Sequence, residues 1–309
     1  MLSKQNTRFQ ILDIFRILAI SLIVMVHIAQ TIGNPLGAHF TIFGFYSTTW
    51  GGIGVTIFLI LSGLVLGLKY DSIKTNQILH FLKNRIIRIY PTYYISIFIG
   101  VCFLLFLTIY QSKTIDYFLD ILHTVFLTPQ LFLLISGLYA FAGQWGGVLS
   151  PASWFIGLIM SMYVVFPTLL YCIKRKPNTS LLLTLIITLL SQFLIKNYNL
   201  LSGRPLDWFP LCRIFEFTLG LYLSHMLPKN TWGIINIKTF AISQSINFFS
   251  AVSFPLFLIN SIFKPIIVLF LAQGYGYIKT ISLYLLICIL VSTLLLIIEQ
   301  KFILFFKKS

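Results

Sequence analysis

Residues 9–32 read FQILDIFRILAISLIVMVHIAQTI. An apolar run of that length, wound as a helix rising about 1.5 Å per residue, exceeds the roughly 30 Å of a bilayer's hydrocarbon core. It is too long for the apolar core of a cleavable signal and has no small-residue cleavage site, so it reads as a retained membrane span. Three residues interrupt it: Asp13, Arg16 and His27.

The rest of the chain repeats the pattern. Of 309 residues, 58% are hydrophobic and 9% charged, and mean hydropathy is +0.93. Soluble domains carry about a quarter charged residues, so this chain has too few to cover a surface facing water. The expectation is an all-α, polytopic transmembrane helical bundle of about 8–10 spans. It forms a single membrane-embedded domain over residues 1–309, with no appended soluble domain. Spans are expected near 10–32, 50–68, 90–110, 153–173, 180–196, 208–226, 249–271 and 280–300. Residues 117–142 are apolar but hold Asp120, His123 and Pro129, just after Asp116. Their neighbours place both ends on one side, leaving two short passes, a re-entrant hairpin or a surface helix.

The formal net charge of +15 raises nucleic acid as a partner, and the distribution of charge argues against it. Lys4, Arg8 and Arg16 open the chain. Lys69, Lys74, Lys83, Arg85 and Arg88 fall between the second and third spans, Lys174, Arg175 and Lys176 after the fourth, and Lys301, Lys307 and Lys308 at the end. The loop from Ala29 to Trp50 has no Lys or Arg. That asymmetry is the positive-inside pattern, with both termini cytoplasmic. Cys102, Cys172, Cys212 and Cys288 are far apart and suggest neither a metal site nor a disulfide framework. No internal repeat of the kind that builds two-halved transporters is visible.

A charge at mid-span costs roughly 2.5–3.5 kcal/mol on insertion scales, so each one calls for a reason. Arg16 and His27 are eleven residues apart, three turns plus roughly 20°, and share one helix stripe about 16 Å long. Asp13 lies one turn from Arg16 and can pair with it. The competing reading of Arg16 taken alone is an interfacial anchor, and that of His27 a packing histidine. Together they point to a lined cavity. Arg85 and Arg88, one turn apart, suit phosphate recognition by two guanidinium forks, or binding of lipid head groups. Arg213 and Glu216 form a candidate pair inside the 208–226 span. Gly54, Ser62 and Gly63 read as close helix packing or as part of a site.

These residues resemble the membrane acyltransferase-3 family, which O-acylates bacterial surface glycans. Leu12-Asp13-Ile14-Phe15-Arg16 with His27 is similar to its first-span signature, and Gly54-Val55-Thr56-Ile57-Phe58 with Leu61-Ser62-Gly63 to its second. Arg85-Ile86-Ile87-Arg88-Ile89-Tyr90-Pro91 resembles its R-x-x-R-x-Y-P motif. Trp154-Phe155 with Tyr163 and Phe166-Pro167, Arg213-Ile214-Phe215-Glu216-Phe217 with Gly220, and Ser253-Phe254-Pro255-Leu256-Phe257-Leu258-Ile259 follow in the family's order. Three positions depart from it. Asn260 stands where the last motif commonly ends in His, Ile159 where many members have Glu, and Thr56 where Asp is frequent.

The resemblance implies transfer of an acyl, most often acetyl, group from cytoplasmic acyl-CoA to a hydroxyl of an extracytoplasmic polysaccharide or lipid-linked glycan. The setting would be a bacterial inner membrane. No permanently bound cofactor and no metal is expected. His27 would act as base or transient acyl carrier, Arg16 as its electrostatic or positioning partner, and Arg85 and Arg88 as the nucleotide-phosphate site. Asp13, Ser62, Trp154, Arg213, Glu216 and Asn260 would support substrate or structure. The competing expectation is a transporter or flippase of a lipid-linked saccharide, in which the same polar stripe conducts.

Overall fold

The computed structural model describes residues 10–42, 46–126, 129–142, 149–201, 205–227 and 240–308. The long helices are α1 (Gln10–Thr31), α2 (Trp50–Lys69), α3 (Ile78–Tyr110), α7 (Ser153–Arg175), α8 (Pro177–Tyr198), α10 (Pro210–Met226), α11 (Phe240–Ile262) and α13 (Tyr277–Lys308). Shorter ones lie between them: α4 (Ile115–Phe126), α5 (Gln130–Ser136), α6 (Tyr139–Ala142), α9 (Pro205–Trp208) and α12 (Lys264–Ala272). Among the described residues the only strands are β1 (Phe40–Ile42) and β2 (Tyr46–Thr48), an antiparallel pair with Phe40 opposite Thr48.

Among the described residues seven helices are long and apolar enough to cross a membrane, and the count is eight if α4 and α5, bent by 75°, act as one span. The chain is a multi-pass membrane protein. Two expected spans take a different form. The 208–226 stretch becomes α10, at 17 residues shorter than the roughly 20 a full crossing needs, because Pro210 starts the helix late. The 249–271 stretch is not one helix. α11 ends at Ile262, Phe263 leaves the helical conformation, and Pro265 sits in the first turn of α12, where a missing N–H does no harm. The break places Lys264 at the start of a new helix rather than mid-span.

α1 lies at the centre, packed against α2, α11 and α12, while α10 packs against α2, α7 and α8. α2 starts where the Thr49 hydroxyl accepts the Gly52 N–H at 3.1 Å, an N-cap that satisfies one of the helix's orphan donors. α2 and α10 cross with backbones in contact. A Cβ on Gly63 would lie 2.0 Å from the Phe217 carbonyl oxygen, and one on Gly220 would lie 2.0 Å from that of Ile60. Lipid supplies no hydrophobic drive between helices, so such small-residue crossings carry their association. Gly220→Ala is expected to destabilise the protein by about 1–3 kcal/mol through overpacking, read as a lower unfolding midpoint in detergent. An unchanged midpoint would contradict the close crossing.

The 117–142 stretch, which the sequence left open, becomes α4, α5 and α6. Tyrosines satisfy the carbonyls at the end of α5. α5 ends at Gly137 in the left-handed conformation (φ 71°), leaving its last carbonyls without helical partners. Tyr93, Tyr94 and Tyr90 of α3 donate their hydroxyls to the carbonyls of Leu134, Ile135 and Ser136 at 2.5, 3.0 and 2.7 Å. Tyr90 of the R-x-x-R-x-Y-P motif thereby holds the end of α5.

Candidate active site

α1 carries polar groups at both ends of its buried stripe. Near its start, the Asp13 carboxylate accepts from Arg16 Nη1 at 2.7 Å and from Ser250 Oγ of α11 at 2.5 Å. Asp13 is buried while Arg16 remains about one-third exposed. The pair thus aims the guanidinium at open space, a cavity of about 520 Å³ lined also by Ser62, Arg85, Arg88, Tyr163 and Glu299.

Arg85 is buried, unlike Arg88 on the next turn. Its guanidinium lies over the rings of Phe81 and Tyr163, 5.2 and 5.6 Å from their centroids, and donates to the Tyr70 hydroxyl at 3.3 Å. Among the described residues no carboxylate pairs with it, and its Nε has no hydrogen-bond partner. Ring faces attract a cation electrostatically, but they do not complete the five donors of the fork. Glu299 is engaged elsewhere, accepting from Thr92 Oγ1 at 2.9 Å.

At the other end of α1, His27 lines a smaller cavity, about 90 Å³, with Trp154, Asp207, Trp208, Arg213 and Lys264. Its Nδ1 meets the Asn260 amide oxygen, and Ser261 Oγ lies 3.3 Å from the same nitrogen. The cavity floor is aromatic. Phe257 lines both cavities and packs against Phe155 and Phe58, with centroids 4.8 and 6.4 Å away. Trp154 packs on Trp208 at 6.1 Å. Arg16 and His27 therefore do not share one continuous cavity, as the helical stripe suggested. They serve two cavities with the Phe257 ring in both walls.

Arg213 binds α10 to its neighbours. Its Nε meets Glu216 Oε1 at 2.8 Å, its Nη2 the Thr56 hydroxyl at 2.8 Å, and its Nη1 the Asp207 carbonyl at 3.1 Å. Thr56 thus accepts from the arginine at the position where the sequence pattern often has an acid. Lys264, Glu299, Asp207 and Trp208 were not singled out from sequence. The first two had a legible signal, each being an isolated charge inside an expected span. Asp207 and Trp208 reach the cavity only through the turn of α9.

The histidine cavity and the arginine cavity lie back to back inside one set of membrane helices, with the Phe257 ring in the walls of both. A family model for the acyltransferase domain of the acyltransferase-3 type matches residues 9–295. The chain belongs to that family and is a membrane acyltransferase. No curated protein and no solved structure matches it.

Proposed function

We propose that the chain transfers an acyl group, acetyl by preference, from acyl-CoA to a hydroxyl of a polysaccharide or lipid-linked glycan on the far side of the membrane. The observation that carries this reading is Arg85: a buried guanidinium, without a carboxylate, on the wall of a ligand-sized cavity. An uncompensated buried cation is costly, and an anion that offers two oxygens to the guanidinium fork removes the cost. The phosphates of coenzyme A have that chemistry, and Arg88 extends the site to the surface. Basic residues concentrate at the chain positions flanking this cavity, which favours a cytoplasmic donor side and suits a bacterial inner membrane.

The pantetheine arm then runs past Arg16 toward Phe257, which must turn aside for the thioester to reach His27. The acceptor hydroxyl enters from the cavity of Trp154 and Trp208, whose ring faces suit the apolar face of a sugar. His27 takes the hydroxyl proton as the oxygen attacks the thioester carbon. The carbon–sulfur bond breaks, and the departing thiolate recovers a proton to leave as coenzyme A. The Lys264 ammonium, in the same cavity as His27, supplies positive charge for the developing oxyanion, while Arg16 positions the donor in the cavity behind Phe257.

The test is isotopic: membranes containing the protein, labelled acetyl-CoA, and label counted in the glycan. Arg85→Gln is expected to raise the donor KM by about 10- to 100-fold, the loss of one or two charge-assisted hydrogen bonds, with a smaller effect on kcat. A donor KM that stays at the wild-type value removes Arg85 from the donor site. If no label transfers while a lipid-linked saccharide still crosses the membrane, the chain is a transporter.

A further inference from the structure

We propose that Asn260 sets the tautomer of His27, holding the proton on Nδ1 and leaving Nε2 bare to act as the base. The inference rests on His27 being the base of the reaction proposed above. It names which nitrogen reacts and assigns Asn260 as the positioning residue.

Asn260 is fully buried on α11, and its Nδ2 donates to the carbonyls of Leu256 and Phe257 at 2.7 and 2.8 Å. A carboxamide nitrogen has two N–H donors and a carbonyl oxygen has none, so these two contacts take both donors and fix which way the amide is turned. The atom left facing His27 Nδ1 is therefore Oδ1. That oxygen only accepts, so Nδ1 must donate, and a neutral imidazole that donates from Nδ1 carries its lone pair on Nε2.

Ser261 does not reverse the assignment. Its hydroxyl, 3.3 Å from Nδ1, has a proton to give to a bare nitrogen. A bare Nδ1 would then set its own lone pair against those of Asn260 Oδ1, the nearer of the two contacts. The backbone around Asn260 is also anchored. The Tyr284 hydroxyl donates to the Asn260 carbonyl at 2.8 Å, and Tyr284 is itself fully buried. Asn260 is thus held through both its side chain and its backbone before any substrate arrives. This is the base-and-orienter logic of catalytic triads, with a neutral amide where a carboxylate is more usual.

The test combines a spectroscopic reading with kinetics. Protein labelled with ¹⁵N-histidine has five histidines, and His27 is assigned by the signal that disappears in His27→Gln. In mildly alkaline buffer the wild-type His27 is expected to show a protonated, pyrrole-type Nδ1 and a bare, pyridine-type Nε2. Asn260→Ala is expected to move the ring toward the opposite tautomer and to lower kcat by about 10- to 100-fold, a partial loss of the roughly 10²–10⁴-fold that a positioned base contributes. KM for donor and acceptor should stay within about twofold. A wild-type spectrum with a bare Nδ1 overturns the proposal, and so does an Asn260→Ala protein with wild-type kcat. If His27→Gln still transfers acyl groups while the wild-type ring holds its proton on Nδ1, the tautomer assignment stands and the base assignment falls.

Discussion

Membranes carrying His27→Ala are expected to transfer acyl label at no more than about one-hundredth of the wild-type rate, since a positioned acid–base group contributes about 10²–10⁴-fold. The loss should fall on kcat. His27 touches no residue of the larger cavity's arginine cluster, so donor binding should survive. The control is the amount of folded protein, because truncation also frees the Asn260 oxygen from its partner. A rate above about one-tenth of wild type, in protein that unfolds at the wild-type midpoint, would assign the base to another group. A positioned base could not be removed at so small a loss.

Glu216→Ala is expected to be the most damaging single change to stability. Arg213 is almost wholly buried, and Glu216 balances its charge at 2.8 Å. Removing one member of such a pair costs about 3–5 kcal/mol, because the remaining charge stays buried and unmatched. Thr56 and the Asp207 carbonyl still accept from the guanidinium, but neither carries a neutralising charge. Unfolding in detergent, or the yield of monodisperse protein, reads the effect. Replacing both partners with apolar residues, Arg213→Met with Glu216→Leu, should recover much of the lost stability. If the single variant unfolds like wild type, the pair is not what holds α10 in place. Arg213 also lines the histidine cavity. A double variant that folds but does not transfer would give it a part in acceptor binding.

Much of the site was legible before any coordinates. Arg16 and His27 stood out because charge inside an apolar run is costly, and their spacing put them on one stripe. Arg85 and Arg88 stood out because two guanidinium groups one turn apart suit phosphate. What spacing could not convey was the difference between those two arginines. Arg85 turns inward against Phe81, Tyr163 and Tyr70, residues from three separate stretches of chain, while Arg88 stays exposed. Nor could spacing divide the stripe of α1 into two cavities, since the dividing ring, Phe257, comes from a helix more than 200 residues away.

The sequence by itself determined the class of molecule. Composition excluded a soluble surface, run lengths demanded membrane helices, and isolated charges marked the helix faces that had to be matched by something polar. Those are local or summed properties, and every residue contributes to them independently of its neighbours in space. Only the tertiary structure decided partnership. Asp13 meets Ser250, Arg213 meets Thr56, and His27 meets Asn260 across sequence separations of 237, 157 and 233 residues. A hydrogen bond has a direction and a reach of about 3 Å, so it is specified by where helices cross. The break after Ile262 and the close approach at Gly63 and Gly220 set those crossings. They turn an asparagine that looked like a missing histidine into the partner of the one histidine that lines the cavity.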